Sequence, residues 1–411
     1  PQNGDSLPVS AFLPYADGTM PAGTSAYEKR GVAVTVPSWD AEKCIQCNSC
    51  AFVCPHAAIR PFLLTTEEAE KAPAGLKKAQ GKAVLKEYSF ALSISVDDCT
   101  GCGNCVDVCP AKEKALTMVS ALDQQAEQDN FNWLATKVGY KDKVVNKAAN
   151  VKNSQFAQPL FEFSGACAGC GETPYIKNIT QLFGDRMMIA NATGCSSIYG
   201  ASFPASPYCT NAQGHGPAWQ NSLFEDNAEF GLGMKIGSDR ARETVANLMT
   251  AALDCDKCPE EVKALFRQWL ENKENGEITR EVADKVIPLM ENTDCPHCKK
   301  LLDYKHFIPA RSQWIFGGDG WAYDIGYGGL DHVLASGKNV NVLVLDTEVY
   351  SNTGGQSSKA TPAGAIAKFA ASGKKIRKKD LGMMAISYGY VYVAQVAMGA
   401  SPAQYLNAIK E

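Results

Sequence analysis

The run Cys44-Ile45-Gln46-Cys47-Asn48-Ser49-Cys50-Ala51-Phe52-Val53-Cys54-Pro55 returns as Cys99-Thr100-Gly101-Cys102-Gly103-Asn104-Cys105-Val106-Asp107-Val108-Cys109-Pro110. Three cysteines spaced two residues apart can wrap a turn of backbone around three corners of an iron–sulfur cubane, but they do not reach the fourth, which the other run must supply. The spacing therefore predicts two [4Fe-4S] clusters. One takes Cys44, Cys47, Cys50 and Cys109, and the other takes Cys99, Cys102, Cys105 and Cys54. Pro55 and Pro110 turn the chain away after each crossing ligand, and the small Ser49, Gly101 and Gly103 leave room for amide groups to approach sulfur. Zinc knuckles or a disulfide framework account less well for the doubled pattern with both prolines.

With 411 residues, 45% of them apolar, the chain can hold two or three domains with sizeable cores. Sixteen cysteines, many needing to stay thiolate, imply a reducing, cytoplasmic setting. A net charge of −4 argues against a nucleic-acid footprint. The one dense basic run, Lys374-Lys375-Ile376-Arg377-Lys378-Lys379, reads as a solvated face or as a patch that docks an acidic ferredoxin. The longest apolar stretches, at 342–345 and 391–398, fall far short of the roughly 20 residues a bilayer span needs. The opening at Pro1 without methionine, and the end at Glu411 just after a helical pattern over 403–409, read as a piece of a longer polypeptide.

The expected fold class is an α+β ferredoxin-like two-cluster domain followed by an α/β domain with a mostly parallel sheet. Residues 1–115 comprise an arm, a strand candidate at 32–36, both cysteine runs and an insertion with a helix over 65–76 and a strand over 88–96. Residues 116–160, rich in Asn, Gln and Lys with helical stretches around Trp133 and Val144, form a connector lying on another domain's surface. In 161–411, Met187-Met188-Ile189-Ala190, Gln313-Trp314-Ile315-Phe316, 340–345 and Met384-Ala385-Ile386-Ser387 suit buried parallel strands.

The strand at 313–316 runs into Gly317-Gly318-Asp319-Gly320, and the next strand ends at Asp346-Thr347-Glu348-Val349-Tyr350-Ser351-Asn352. Ligands of open α/β sheets bind at that carboxyl edge. Asp319, the Thr347 hydroxyl and the Val349 carbonyl could supply three hard oxygens to Mg2+, with a diphosphate completing the shell. The simpler alternative is a glycine-rich turn with a capping Asp. A nicotinamide site is disfavoured because no Gly-x-Gly-x-x-Gly follows the strand.

Gly318-Asp319-Gly320 with Asp346-Thr347-Glu348-Val349-Tyr350-Ser351-Asn352-Thr353-Gly354-Gly355-Gln356 resembles the thiamine-diphosphate motif of 2-oxoacid:ferredoxin oxidoreductases, the pyruvate-oxidising branch most closely. The resemblance covers both halves. It implies that the second domain binds thiamine diphosphate, with Asp319, Thr347 and the Val349 carbonyl on Mg2+. Gly318, Asp319, Gly320 and Trp321, together with the stretch from Thr347 to Asn352, would line the cofactor, and Asn352 would lie beside the reacting carbon as the catalytic residue. Thr347 stands where the wider thiamine family has asparagine. The implied reaction is oxidative decarboxylation of pyruvate with coenzyme A to acetyl-CoA and CO2, electrons passing through three [4Fe-4S] clusters to ferredoxin or flavodoxin. Upstream domains of the same polypeptide and a homodimer are further implications, and the chain alone should be inactive. A 2-oxoglutarate or branched-chain relative, or an electron carrier without catalysis, are the alternatives.

Cys167-Ala168-Gly169-Cys170-Gly171-Glu172 and Gly194-Cys195 form a looser set that could hold a metal or remain buried thiols. The resemblance assigns Cys167, Cys170 and Cys195 to the cluster nearest the cofactor, with a fourth ligand outside the chain, and brings Glu172 and Cys195 to the thiamine; it argues against Cys209 as that ligand. Cys255-Asp256-Lys257-Cys258 and Cys295-Pro296-His297-Cys298 flank a charged helical insertion with Leu265, Phe266, Trp269 and Leu270 on one face. These cysteines could clip zinc or sit unligated on an exposed hairpin. His215 is either structural or faces the cofactor.

Overall fold

The computed structural model describes residues 3–202 and 205–411; Pro1, Gln2, Phe203 and Pro204 lie outside them. Strand β1 (Thr35–Trp39) enters the first cysteine loop, α1 (Ser49–Phe52) carries its turn, and β2 (Ile59–Leu64) leaves it. After α2 (Thr66–Glu70) and β3 (Ala79–Gln80), the pattern repeats as β4 (Ser89–Ile94), α3 (Asn104–Asp107) and β5 (Leu116–Ser120). The repeats interlock. Strand β1 pairs antiparallel with β5 from Thr35↔Ser120 to Trp39↔Leu116, and β2 pairs antiparallel with β4 from Ile59↔Ile94 to Leu64↔Ser89.

All six residues of β2 are buried because the pleat sends alternate side chains into two cores. Ile59 and Leu63 join Trp39, Phe90, Leu92 and Leu116 on the cysteine side. Phe62 and Leu64 face Phe131, with the Phe62 and Phe131 rings edge-on at 6.1 Å. Phe131 belongs to α4 (Gln125–Trp133), the expected connector helix. Its Gln128 amide oxygen accepts the Asp97 N–H at 2.9 Å and the Ser95 hydroxyl at 3.1 Å, so the connector lies on the sheet. The helix expected around Val144 is absent: the Lys-Asp-Lys run there makes turns, and helix resumes only at α5 (Val151–Ser154), capped by the Asn150 side chain.

The second half opens with α6 (Thr173–Phe183) and β6 (Met187–Ala192), followed by α7 (Cys195–Ser197) and β7 (Ala218–Ser222). Four helices come next: α8 (Asn227–Leu253), α9 (Glu260–Glu271), α10 (Gly276–Glu291) and α11 (Pro296–Leu302). The chain then returns through β8 (Ser312–Gly318), α12 (Tyr327–Ala335), β9 (Asn341–Leu345) and the small hairpin of β10 (Val349–Tyr350) and β11 (Gln356–Ser357). Strands run parallel in the order β7-β6-β8-β9, as expected of an α/β layer. Asn227, at the start of α8, donates to the Phe316 carbonyl at 2.9 Å and fixes that helix to the sheet.

One expected strand is corrected. Met384-Ala385-Ile386-Ser387 lies at the end of α13 (Leu381–Ile386), whose Asp380 cap accepts the Met383 N–H at 2.9 Å. A Met-Met-Ala run favours helix, and only Ile386 is β-branched. The helix expected over 403–409 is α14 (Pro402–Lys410).

Two buried cations join the halves. Lys177 of α6 donates to the carbonyls of Ala51 and Phe52 in α1, and burial lowers its pKa to about 8. Arg60 pairs with Glu162, with side chains only 6% and 12% exposed, and also bonds the Ala57 carbonyl and the Tyr140 hydroxyl. Replacing Arg60 with Met leaves a buried carboxylate unpaired, a loss of about 3–5 kcal/mol. The first unfolding midpoint in urea should fall accordingly, and Arg60→Met with Glu162→Leu should recover most of it.

Candidate cofactor sites

The crossed strand pairing creates two hollows among the cysteines. One is lined by Cys44, Cys47, Cys50 and Cys109 together with Trp39, Phe90 and Leu92. The other is lined by Cys54, Cys99, Cys102 and Cys105 together with Ile59 and Ile94. Each holds three thiols from its own loop and one from the other. Burial, then crowding by neighbouring thiols, pushes Cys50 and Cys105 well above the ordinary thiol value. Cys99 rises to about 12, burial again leading. Four thiols facing one apolar hollow are a poor arrangement for bare side chains and a fitting one for iron–sulfur ligation. The amides of Gly101 and Gln46 reach the Cys99 and Cys44 sulfurs at 3.4 Å each. Gln46 and Asn48 hold the left-handed conformation where the second loop has Gly101 and Gly103. At Gly101 the exchange would not work, since a Cβ would stand 2.9 Å from the Thr35 carbonyl oxygen.

Cys167, Cys170 and Cys195 gather at the carboxyl end of β6. Burial raises Cys195 to about 12, and Glu172, Cys170, Cys167 and Asp319 act on it in turn, so all five share one neighbourhood. Glu172 is buried, receives the Tyr199 hydroxyl at 2.8 Å and is raised to about 7, by burial first and Asp319 last. The loop of Cys167 touches the second hollow: a Cβ on Gly169 would lie 3.6 Å from the Cys102 Cβ. Two residues that sequence reasoning missed hold this loop. His56 sets its ring nitrogens 3.1 Å from the Ser164 carbonyl and 3.3 Å from the Cys167 carbonyl, and Arg30 donates to the carbonyls of Phe163 and Ser164 at 3.2 Å each. The adjacency of His56 to Cys54-Pro55 was the available signal.

At the ends of β8 and β9 the three expected oxygens converge. The buried Asp319 carboxylate accepts the Thr347 hydroxyl at 3.1 Å, and that hydroxyl lies 3.1 Å from the Val349 carbonyl oxygen. Burial raises the Asp319 pKa, whereas the hydroxyls of Ser358 and Thr347 oppose the rise. A buried carboxylate, a hydroxyl and a carbonyl are a hard donor set that could hold Mg2+. Gly320 must lack a side chain, because a Cβ would stand 2.4 Å from the Tyr350 ring. Gly318 is open at this edge, and Asn352 is exposed in the turn before β11. Trp321 departs from expectation: its ring is buried in the core against Gly317 and Gly326, so it offers the loop only its backbone. Ser358 was missed, whereas Ser351 falls in the stretch 347–352 expected to line the cofactor. Ser358 donates to Asp319, and the Ser351 hydroxyl lies 2.7 Å from that of Thr347.

The basic run is not a uniformly solvated face. Lys374 donates to the carbonyls of Ser358 and Thr361, Lys379 to that of Tyr323, and Lys378 pairs with Asp346 at 2.6 Å. These lysines brace the loops around Asp319, whereas Lys375 and Arg377 are exposed. His215 faces Asp284 of α10 at 3.8 Å, and the buried Cys209 thiol donates to the Pro159 carbonyl at 3.5 Å.

Residues 43–113 match the family described as 4Fe-4S dicluster domain, and residues 302–411 match the C-terminal TPP binding domain of thiamine pyrophosphate enzymes. Residues 1–33 match a domain of unknown function. Along its whole length the chain is 61% identical to the pyruvate-flavodoxin oxidoreductase of Klebsiella pneumoniae, of which it covers 35%. Over 99% of its length it is 56% identical to the pyruvate:ferredoxin oxidoreductase of Moorella thermoacetica, again covering 35%. It is also 48% identical over 99% of its length to the pyruvate dehydrogenase [NADP(+)] of Cryptosporidium parvum, of which it covers 23%. The chain thus spans about a third of the length of the first two relatives. The resemblance read from the cysteine runs and the Gly-Asp-Gly loop holds, and iron–sulfur clusters and thiamine diphosphate are the cofactors of the matched domains. Among the described residues no helix is long and apolar enough to cross a membrane.

Ser358→Ala removes a hydroxyl that orients Asp319, and such supporting contacts are worth about 10- to 100-fold in affinity. Titration of thiamine diphosphate with Mg2+, followed by quenching of tryptophan fluorescence, should show weakening within that range.

Proposed function

We infer that the chain is the electron-transfer and diphosphate-anchoring part of a pyruvate oxidoreductase that forms acetyl-CoA and CO2 from pyruvate and coenzyme A and reduces ferredoxin or flavodoxin. The observation that carries this reading is contiguity. Asp319 acts on Glu172 and Cys195, Gly169 packs beside Cys102, and Cys105 acts on Cys50 across the two hollows. Bound thiamine diphosphate would supply the carbon nucleophile that a 2-oxo acid needs for decarboxylation, and the clusters the one-electron carriers.

In this reading Asp319, Thr347 and the Val349 carbonyl hold Mg2+, and Gly318, Gly320 and the Trp321 backbone let the diphosphate approach. Asn352 lies beside the reacting carbon. Glu172 keeps its Oε2 in contact with the Tyr199 hydroxyl and, with a pKa near neutrality, can hold or release a proton at that oxygen. Cys167, Cys170 and Cys195 take the inner cluster, with a fourth ligand from outside the chain. Clusters held by Cys54, Cys99, Cys102 and Cys105 and by Cys44, Cys47, Cys50 and Cys109 would supply one-electron carriers between the inner site and the acceptor. Lys375 and Arg377 are free to meet an acidic acceptor. The domain limits proposed are those read from the sequence, 1–115, 116–160 and 161–411, with the first boundary moved to 120 so that β5, the partner of β1, stays in the first domain, in a cytoplasmic homodimer.

The test uses the intact polypeptide containing this sequence, assayed for acyl-CoA formation with a panel of 2-oxo acids and a low-potential acceptor. Pyruvate should be preferred, with strict dependence on Mg2+ and thiamine diphosphate. Preference for 2-oxoglutarate would move the chain to another branch, and turnover without thiamine would overturn the reading. Crossed ligation has its own check: Cys54→Ser should disturb the electron paramagnetic resonance signal of the cluster on Cys99, Cys102 and Cys105 while the one on Cys44, Cys47 and Cys50 persists.

A further inference from the structure

Besides Cys209, four cysteines stand outside the three proposed cluster sites, and the fold draws them together across some forty residues of chain. Cys255 and Cys258 follow the end of α8, where the Cys258 N–H bonds the Cys255 carbonyl at 3.0 Å. Cys295 and Cys298 open α11, where the Lys299 N–H bonds the Cys295 carbonyl at 3.1 Å. The sulfurs of Cys258, Cys295 and Cys298 all lie within 4.8 Å of one another, and Cys255, three residues before Cys258, packs partly buried against the same core. The exposed hairpin weighed as an alternative is excluded, because Cys258 is 5% exposed and Cys295 and Cys298 are 0% exposed. They sit in a helical core with Val262, Phe266 and Trp269.

We propose that Cys255, Cys258, Cys295 and Cys298 bind one structural Zn2+ that ties the end of α8 to the start of α11 and closes the helical insertion. The Cys258 and Cys298 sulfurs are 3.8 Å apart. That is far beyond the roughly 2.05 Å of a disulfide. It equals the edge of a tetrahedron with metal–sulfur bonds of about 2.3 Å, which is about 3.8 Å. Two Cys-x-x-Cys knuckles from separate chain segments are the donor pattern of closed, four-sulfur zinc sites. Binding replaces the thiol protons, which pass to solvent, with four zinc–sulfur bonds and changes no oxidation state. The apolar surroundings leave no open coordination position, so the site is structural.

The intact polypeptide, purified without added metal, should contain about one zinc per chain, and its zinc-edge X-ray absorption should fit four sulfurs at about 2.3 Å. The double variant Cys258→Ser/Cys298→Ser should lose the zinc and unfold at lower temperature while keeping the iron content of the parent. Should that variant fail to fold, the parent protein decides alone. Absence of zinc from an iron-replete preparation, zinc held by nitrogen or oxygen, iron in its place, or thiol titration revealing disulfides among these four cysteines would each overturn the proposal.

Discussion

The exchange of one cysteine between two otherwise separate loops is the constraint on which the rest of the molecule depends. It is imposed by strand pairing, since β1 must lie beside β5 and β2 beside β4 before Cys54 and Cys109 can face the opposite loop. The same pairing builds the core, in which Cys50 and Cys105 pack with Trp39, Phe90 and Leu116. The cysteines proposed as cluster ligands are therefore core residues. An apolar hollow faced by four crowded thiols gains its stability from what it binds, so cofactor binding and folding of this half are one free-energy term.

The thiamine-binding half is attached through the backs of those loops. Lys177 reaches the carbonyls behind Cys50, and Arg60 meets Glu162 at the start of the second half. The N-terminal arm also contributes. Within Glu28-Lys29-Arg30, Lys29 pairs with Asp98, next to Cys99, and Arg30 bonds the carbonyls ahead of Cys167. A segment whose composition offered no chemistry thus locks one cysteine loop against another.

Much of this was legible where a local rule governs the residue. The cysteine runs carry a fixed ligand spacing, and the strands β6 and β8 are apolar runs because both faces of the layer are covered. Asp319, Thr347 and Val349 follow from where the strands end. What escaped was set by distant partners. Met384 looked strand-like only while its neighbour was imagined, and Trp321 sits in a cofactor loop yet faces the core. Lys378 belongs to a run that reads as solvated, although Asp346 claims it. Ser358, Arg30 and His56 act across long stretches of chain, and no periodicity marks such residues.

The loop bearing Cys167 and Gly169 is held from two sides, by His56 and by Arg30, while its glycine rests against Cys102. Electron hopping weakens steeply as the gap between carriers widens, so under the proposed function this clamp would make conductance a property of hydrogen-bond geometry. A molecule whose clamp had slackened would still stain for its full complement of iron and still take up its organic cofactor. It would nonetheless behave as an open circuit, intact at both ends and silent between them.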